Sequence, residues 1–262
     1  IIANCPTASL KTLVSTPDRH LIAFGTETTI GTASTQDDMY IRWSDQESID
    51  ATTSYAPSAI NTAGTQRLAD GTRIVAAIRG RDAIYVWTDT ALFIMRFVGA
   101  PFVFSFQQVG TNCGLIGKNA AVEVDGSAYW MSENGFFRYT GKLDSLACLV
   151  EDYVFDDINT IPRQHIYAGL NNLFGEVTWF YPGSGAASNN RAVTYNYMDS
   201  TPERPVWTTS SLARSTWADS SIFGKPHATE YDSSATSDST VGNTDGVTTY
   251  YEHETGVNQI KA

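Results

Sequence analysis

The run Ala83-Ile84-Tyr85-Val86-Trp87-Thr88-Asp89-Thr90-Ala91-Leu92-Phe93-Ile94-Met95 sets two apolar stretches on either side of a polar Thr-Asp-Thr. β-branched and aromatic residues dominate both stretches, and such side chains suit a pleated, half-buried surface. A short polar break between two stretches of this kind reads as a tight antiparallel hairpin. Upstream, Asp70-Gly71 leads into Arg73-Ile74-Val75-Ala76-Ala77-Ile78, and Gly80-Arg81-Asp82 turns the chain back into the quoted run. Downstream, residues 102–109 supply a further strand. Together these form an up-and-down meander with very short turns.

The hinge of that hairpin recurs. Trp43-Ser44-Asp45, Trp87-Thr88-Asp89 and Trp130-Met131-Ser132-Glu133 follow one another at intervals of 44 and 43 residues, and each ends an apolar stretch. Short strands repeating every 40–45 residues mark the blade of a β-propeller, a small antiparallel sheet that cannot bury both faces alone and so stacks on its neighbours. The expectation is an all-β, β-propeller-like fold of four-stranded antiparallel blades with a repeat of about 43–44 residues, clearest over 39–148. In that frame Trp43, Trp87 and Trp130 occupy equivalent places and pack between blades. Asp45, Asp89 and Glu133, with the adjacent hydroxyls, bond backbone in the turns that follow.

The third unit shows the same grammar. Ala120–Val124 is a strand, Asp125-Gly126 its turn, and Ser127–Met131 the return; Asn134-Gly135 then turns into Phe136–Tyr139. Residues 44–66 read as a long polar connection, and 149–164 as the one stretch with a helical turn, around Glu151–Ile158. Beyond it the period blurs. Strands are expected at 166–170, 174–181, 191–198, 205–209, 213–217 and 247–252, with loop insertions at 182–190 and 232–246. No domain boundary stands out, so 1–262 is read as one propeller-type domain. The chain opens on Ile1-Ile2 and not Met, which reads as a fragment of a longer polypeptide.

Apolar residues make up 42% and aromatics 12%, with 17 Lys and Arg against 28 Asp and Glu, a net charge of −11. Non-specific DNA binders carry the opposite sign, because neutralising phosphates requires Lys and Arg. Arg73, Arg79 and Arg81 form the one small basic cluster, read as interface or edge-strand charges with DNA contact as the other use. Cys5, Cys113 and Cys148 have neither disulfide-framework nor metal-ligand spacing and are expected to be free thiols. His20, His165, His227 and His253 are scattered, and Glu252-His253-Glu254 on a strand aims neighbouring side chains to opposite faces. No metal site, cofactor site or catalytic set is therefore expected. Neither a Gly-x-Ser-x-Gly elbow nor a phosphate loop is present, and no carboxylate pair is singled out for glycoside hydrolysis.

Three strings carry a resemblance: Leu68–Ile74 with Val86–Leu92 and Val98–Phe104; Val109–Gly117 with Tyr129–Phe137; and Val154–Asn159, followed loosely by Tyr251–Gly256. In these the chain resembles the tail hub or nozzle proteins of short-tailed bacteriophages, also called packaged-DNA stabilisation proteins. The likeness covers residues 39–160 well and 165–256 loosely. It implies a propeller subunit in a homohexameric ring below the portal and adaptor, near tail fibres or a tail needle. Such a ring retains the genome and then passes it outward without gripping it. It implies a virion protein assembled in the host cytoplasm, with no enzymatic activity, no cofactor and no membrane insertion. The alternative reading is a carbohydrate-binding or glycan-cleaving propeller.

Overall fold

The computed structural model describes residues 5–15, 18–48, 54–219, 226–232 and 249–254. The first sheet holds β1 (Ser9–Val14), β2 (Leu21–Thr26), β3 (Tyr40–Trp43) and β4 (Gly64–Arg67). The second holds β5 (Ile74–Arg79), β6 (Ile84–Thr88), β7 (Ala91–Gly99) and β8 (Val103–Thr111), and the third β9 (Ala121–Val124), β10 (Ser127–Ser132), β11 (Gly135–Tyr139) and β12 (Leu143–Leu146). The helix α1 (Glu151–Asp157) lies in the connection to the fourth sheet, β13 (Tyr167–Asn171), β14 (Glu176–Tyr181), β15 (Arg191–Asn196) and β16 (Trp207–Ser210). A fifth sheet joins β17 (Thr216–Ala218), β18 (His227–Asp232) and β19 (Thr249–Glu254).

In every sheet the strands lie in chain order, each antiparallel to the next. The first strands of successive sheets touch in turn: β1 with β5, β5 with β9, β9 with β13, β13 with β17. Meander sheets stacked along their innermost strands are propeller blades, so the fold is all-β and β-propeller-like.

The second blade shows why this sequence stacks. β6 is buried along its whole length, and so is the first half of β7. Alternate residues of a strand point to opposite faces. Accordingly Tyr85, Trp87, Leu92 and Ile94 join the core shared with blades three and four, while Ile84, Val86, Phe93 and Met95 join the core shared with blade one. A sheet with two apolar faces has no stable existence in water until both are covered.

The blade repeat is set by one position, the fourth residue of the second strand. It is Phe24 in β2, Trp87 in β6, Trp130 in β10 and Trp179 in β14, and all four are 0% exposed. Opposite each Trp the inner strand carries an alanine, Ala76, Ala121 or Ala168. A methyl leaves room for the indole and lets the inner strands crowd together. Blade one departs from this: Phe24 faces Lys11 on an exposed β1.

That register corrects one expectation. Trp87 and Trp130 are equivalent, but Trp43 ends the third strand of its blade, and the true partner in blade four is Trp179. The 44-residue step from Trp43 to Trp87 therefore joins two different places. A Trp followed by a hydroxyl residue and Asp also suits the end of β3, where a turn begins, and the long 44–63 connection shifts the spacing into coincidence. The first strands β5, β9, β13 and β17 begin at 74, 121, 167 and 216, a repeat slightly longer than the Trp spacing.

The helical turn falls where expected, as α1. Three strands were not anticipated. β4, Gly-Thr-Gln-Arg, takes the end of the stretch 44–66 read as a connection and is held by pairing with β3. β12 is Leu-Asp-Ser-Leu, weak in β propensity and held by pairing with β11, and β18 was hidden between polar loops. The Asp125-Gly126 hairpin has positive φ at both residues, +49° and +85°, the geometry that the Asp-Gly pair favours.

Candidate functional site

The turn residues bind more widely than the next turn. In blade two, Thr88 Oγ1 accepts from the amides of Thr90 at 3.2 Å and Ala91 at 2.9 Å and closes the β6–β7 hairpin. Asp89 instead reaches back to the stretch before β5, accepting from Thr72 N at 2.8 Å and from the Thr72 hydroxyl. These bonds outweigh burial and hold its carboxyl below the usual range. Asp45 accepts from Gln46 N at 3.0 Å, but also from Thr62 N at 2.8 Å and Thr62 Oγ1 at 2.6 Å across the long connection. Glu133 pairs with Arg163 Nη1 at 2.6 Å, on the connection into blade four. The acidic residues of these turns are thus ties between segments.

The tryptophans pack as anticipated. Trp87 and Trp130 meet edge to face with centroids 5.4 Å apart, and Trp43 sits 5.3 Å from Phe104 of the next blade. Indole N–H groups donate to backbone carbonyls at a distance in sequence: Trp130 to Cys113 at 2.8 Å, Trp179 to Ala120 at 3.0 Å, Trp217 to Leu170 at 2.7 Å, Trp43 to Thr62 at 2.9 Å. Each bond fastens a blade to a connection or a neighbouring strand.

Asp18, His20 and Thr62 stand in an order that resembles a hydrolase relay. His20 is fully buried, with Nδ1 3.2 Å from Asp18 Oδ2 and Nε2 3.2 Å from Thr62 Oγ1. Thr62, however, donates its hydroxyl proton to Asp45, so it accepts from the imidazole and has no proton for it to take. Asp18 also accepts from Ser15 Oγ at 2.7 Å. The bonds make this group a clamp between the β1–β2 turn and the long 44–63 connection.

The basic cluster divides. Arg73 precedes β5 and Arg79 ends it, so the strand separates them by roughly 20 Å at about 3.3 Å per residue. Arg79 and Arg81 remain together at the β5–β6 turn, both exposed, and line a cleft of about 240 Å³ between blades one and two. Asp18 and Asp82 share that cleft, so its charge is mixed. Phe97 and Phe104 close its apolar end and pack edge to face at 5.8 Å.

Among the described residues no group of three or more His, Cys, Asp or Glu is arranged to hold a metal ion, and no helix is long and apolar enough to cross a membrane. Cys113 is buried, and burial pushes the Cys148 thiol up to about 11. The side chains of Glu252, His253 and Glu254 lie outside the described residues. Sequence reasoning missed the buried clamp of Asp18 and His20, whose partner Thr62 is 42 residues away from His20.

No protein-family model matches the sequence, and no curated protein matches it. Among solved structures, 29 chains match. One is the crystal structure of the N-terminal domain of Nup159, 10% identical, covering 87% of this chain and 54% of that chain, with a TM-score of 0.43. This chain thus spans about half the length of that neighbour.

Proposed function

We propose that the chain is a structural subunit of a short-tailed phage tail, part of the nozzle or hub ring below the portal and adaptor. In this reading it retains packaged DNA and later forms the exit conduit. The observation that carries it is that the first two resembling strings fall in two adjacent blades and the connection between them. The first runs from the entry of β5 to the start of β8, and the second from the end of β8 into β11.

Charge supports the same reading. With 28 acidic against 17 basic residues, few positions remain for counterion release, which drives most non-specific DNA affinity. Arg79 and Arg81 share their cleft with two aspartates, and Arg73 is at the other end of the strand. A wall of this kind holds DNA by geometry and lets it slide. Partners in this reading are five further copies in a hexameric ring, the portal and adaptor, tail fibres or a needle, and DNA as a passenger. The chain acts without a cofactor and without catalysis.

Imaging of virions that contain the chain tests this. The expected result is a sixfold ring at the tail vertex whose subunit density accommodates these stacked blades. A chain absent from particles, or a monomer that binds or cleaves a glycan, overturns it.

A further inference from the structure

Blade two reaches out of one end of the stack. Ile84, the first residue of β6, pairs with Arg79 at the end of β5 and with Met95 in β7. Residues 96–99 of β7 and their partners in β8 therefore run on past the start of β6, by roughly 13 Å at about 3.3 Å per residue. This arm carries apolar side chains that face water: Phe97 is 45% exposed, Val98 54% and Phe102 77%. Arg96 on the arm, and Arg79 and Arg81 at its foot, are exposed and make no ion pair among the described residues. Asp82 shares the foot, so three arginines against one aspartate leave the arm basic.

The opposite end carries its complement. Tyr85 Oη donates to the Gly126 carbonyl at 2.7 Å, so the β5–β6 turn, the arm and the β9–β10 turn share one end of the stack. β12 is the last strand of the blade-three meander and finishes at the other end, where α1 follows it. There Leu149 is 80% exposed, Tyr153 56% and Ile161 88%. Glu151, Asp152 and Asp156 belong to the same stretch and make no ion pair among the described residues. Two cations close to them in the chain or the fold are already used, Arg163 by Glu133 and Arg191 by Asp157. This surface is apolar and acidic where the arm is apolar and basic.

We propose that the arm docks on the 149–161 surface of a second copy of this chain. The two surfaces match in kind, with exposed apolar side chains on both and charges of opposite sign. They lie at opposite ends of the stack, so neither covers the other within one chain. A contact between two different surfaces joins copies head to tail, each offering its arm to one neighbour and its acidic surface to the next. The opposed charges steer the encounter and fix its direction, while Phe97, Val98 and Phe102 lose their exposure to water. Such a contact would join copies in the ring of the tail reading, but it does not rest on that reading. Imaging of virions and self-association of the free chain can fail separately.

Sedimentation velocity of the full chain tests the proposal. The chain should self-associate with a Kd of about 10 μM or tighter, and less tightly as salt rises. Arg81→Glu with Arg96→Glu, and separately Asp152→Lys with Asp156→Lys, should each weaken association at least about tenfold. The two pairs move the net charge in opposite directions, so a loss common to both is local to the contact. Mixing the two variants should restore association, since each then meets a neighbour of opposite sign. Phe102→Ala, an exposed truncation that leaves the charges alone, should weaken it about tenfold as well. A chain that stays monomeric at about 100 μM overturns the proposal, as does association that either reversal leaves unchanged or that mixing fails to restore. Binding of a monomeric chain to phosphatidylserine vesicles, lost in Phe102→Ala, also overturns it by assigning the arm to a lipid surface.

Discussion

Blades one and two have the same four-strand order, but blade one leaves its first strand to water where blade two covers most of its own. In blade two, both faces of β6 and the first half of β7 are buried between neighbours. In blade one, Ile22, Phe24, Ile41 and Trp43 face blade two, whereas β1 is exposed along most of its length. Where blade two carries apolar side chains on both faces, blade one places Ala23 and Arg42 on the other face, and Arg42 donates to the carbonyls of Glu27 and Thr28. A blade flanked on both sides can be apolar throughout; one at the end of the stack needs its own polar fastenings. The same topology is thus stabilised by two apolar faces in one case and by one apolar face together with hydrogen bonds in the other.

The comparison is tested most severely at the repeated aromatic position. Trp130→Ala, in a blade covered on both sides, should destabilise the chain by about 3–5 kcal/mol, the range for deleting a fully buried Trp. Denaturant unfolding measures it. A loss under about 1 kcal/mol would mean that the core of blades two to four is loosely packed.

Blade one should respond to acid instead. Burial pushes the Glu27 carboxyl up, but bonds from the Thr7 hydroxyl and the amides of Gly31, Thr7 and Ala8 outweigh it and hold it below the ordinary value. A carboxyl depressed in the fold contributes stability that is complete above its unfolded pKa of about 4.3 and is lost as pH falls through the lowered value. Unfolding midpoints should therefore fall on acidification below about pH 4, and Glu27→Gln should flatten part of that fall. An unchanged pH profile in the variant would remove Glu27 as the fastening of blade one.

A smaller effect belongs to the hairpin tie in blade two. Asp89→Ala leaves Thr72 N and its hydroxyl without their acceptor, and should cost about 1–2 kcal/mol in the same unfolding measurement. The smallest belongs to the open side of blade one. Leu10 is 48% exposed on β1, so Leu10→Ala in the isolated chain should change stability by no more than about 0.5 kcal/mol. A large loss would show that β1 is covered in solution.

The interior blades were the readable part of this fold. The 43-residue step from Trp87 to Trp130 is a true blade interval, because two adjacent blades with short turns keep their register in sequence. Trp43 misled because its pattern describes the end of a strand before a polar turn, and both β3 and β6 end that way. Arg73, Arg79 and Arg81 looked like one cluster because sequence proximity hides the length of an extended strand. Asp18 with Thr62 was beyond sequence reading for a related reason. Such a group is assembled by connections from separate strands, and no local spacing encodes it.

Hydrogen exchange, followed peptide by peptide in the intact chain, tests the contrast between the blades directly. Amides of β6 and of residues 91–95 in β7 should exchange only through global unfolding, since both faces of those strands are sealed, while amides of β1 should exchange through local opening at much lower free energy. Equal protection of β1 and β6 would contradict the account, because it would mean that an end blade needs no neighbour to hold its open strand.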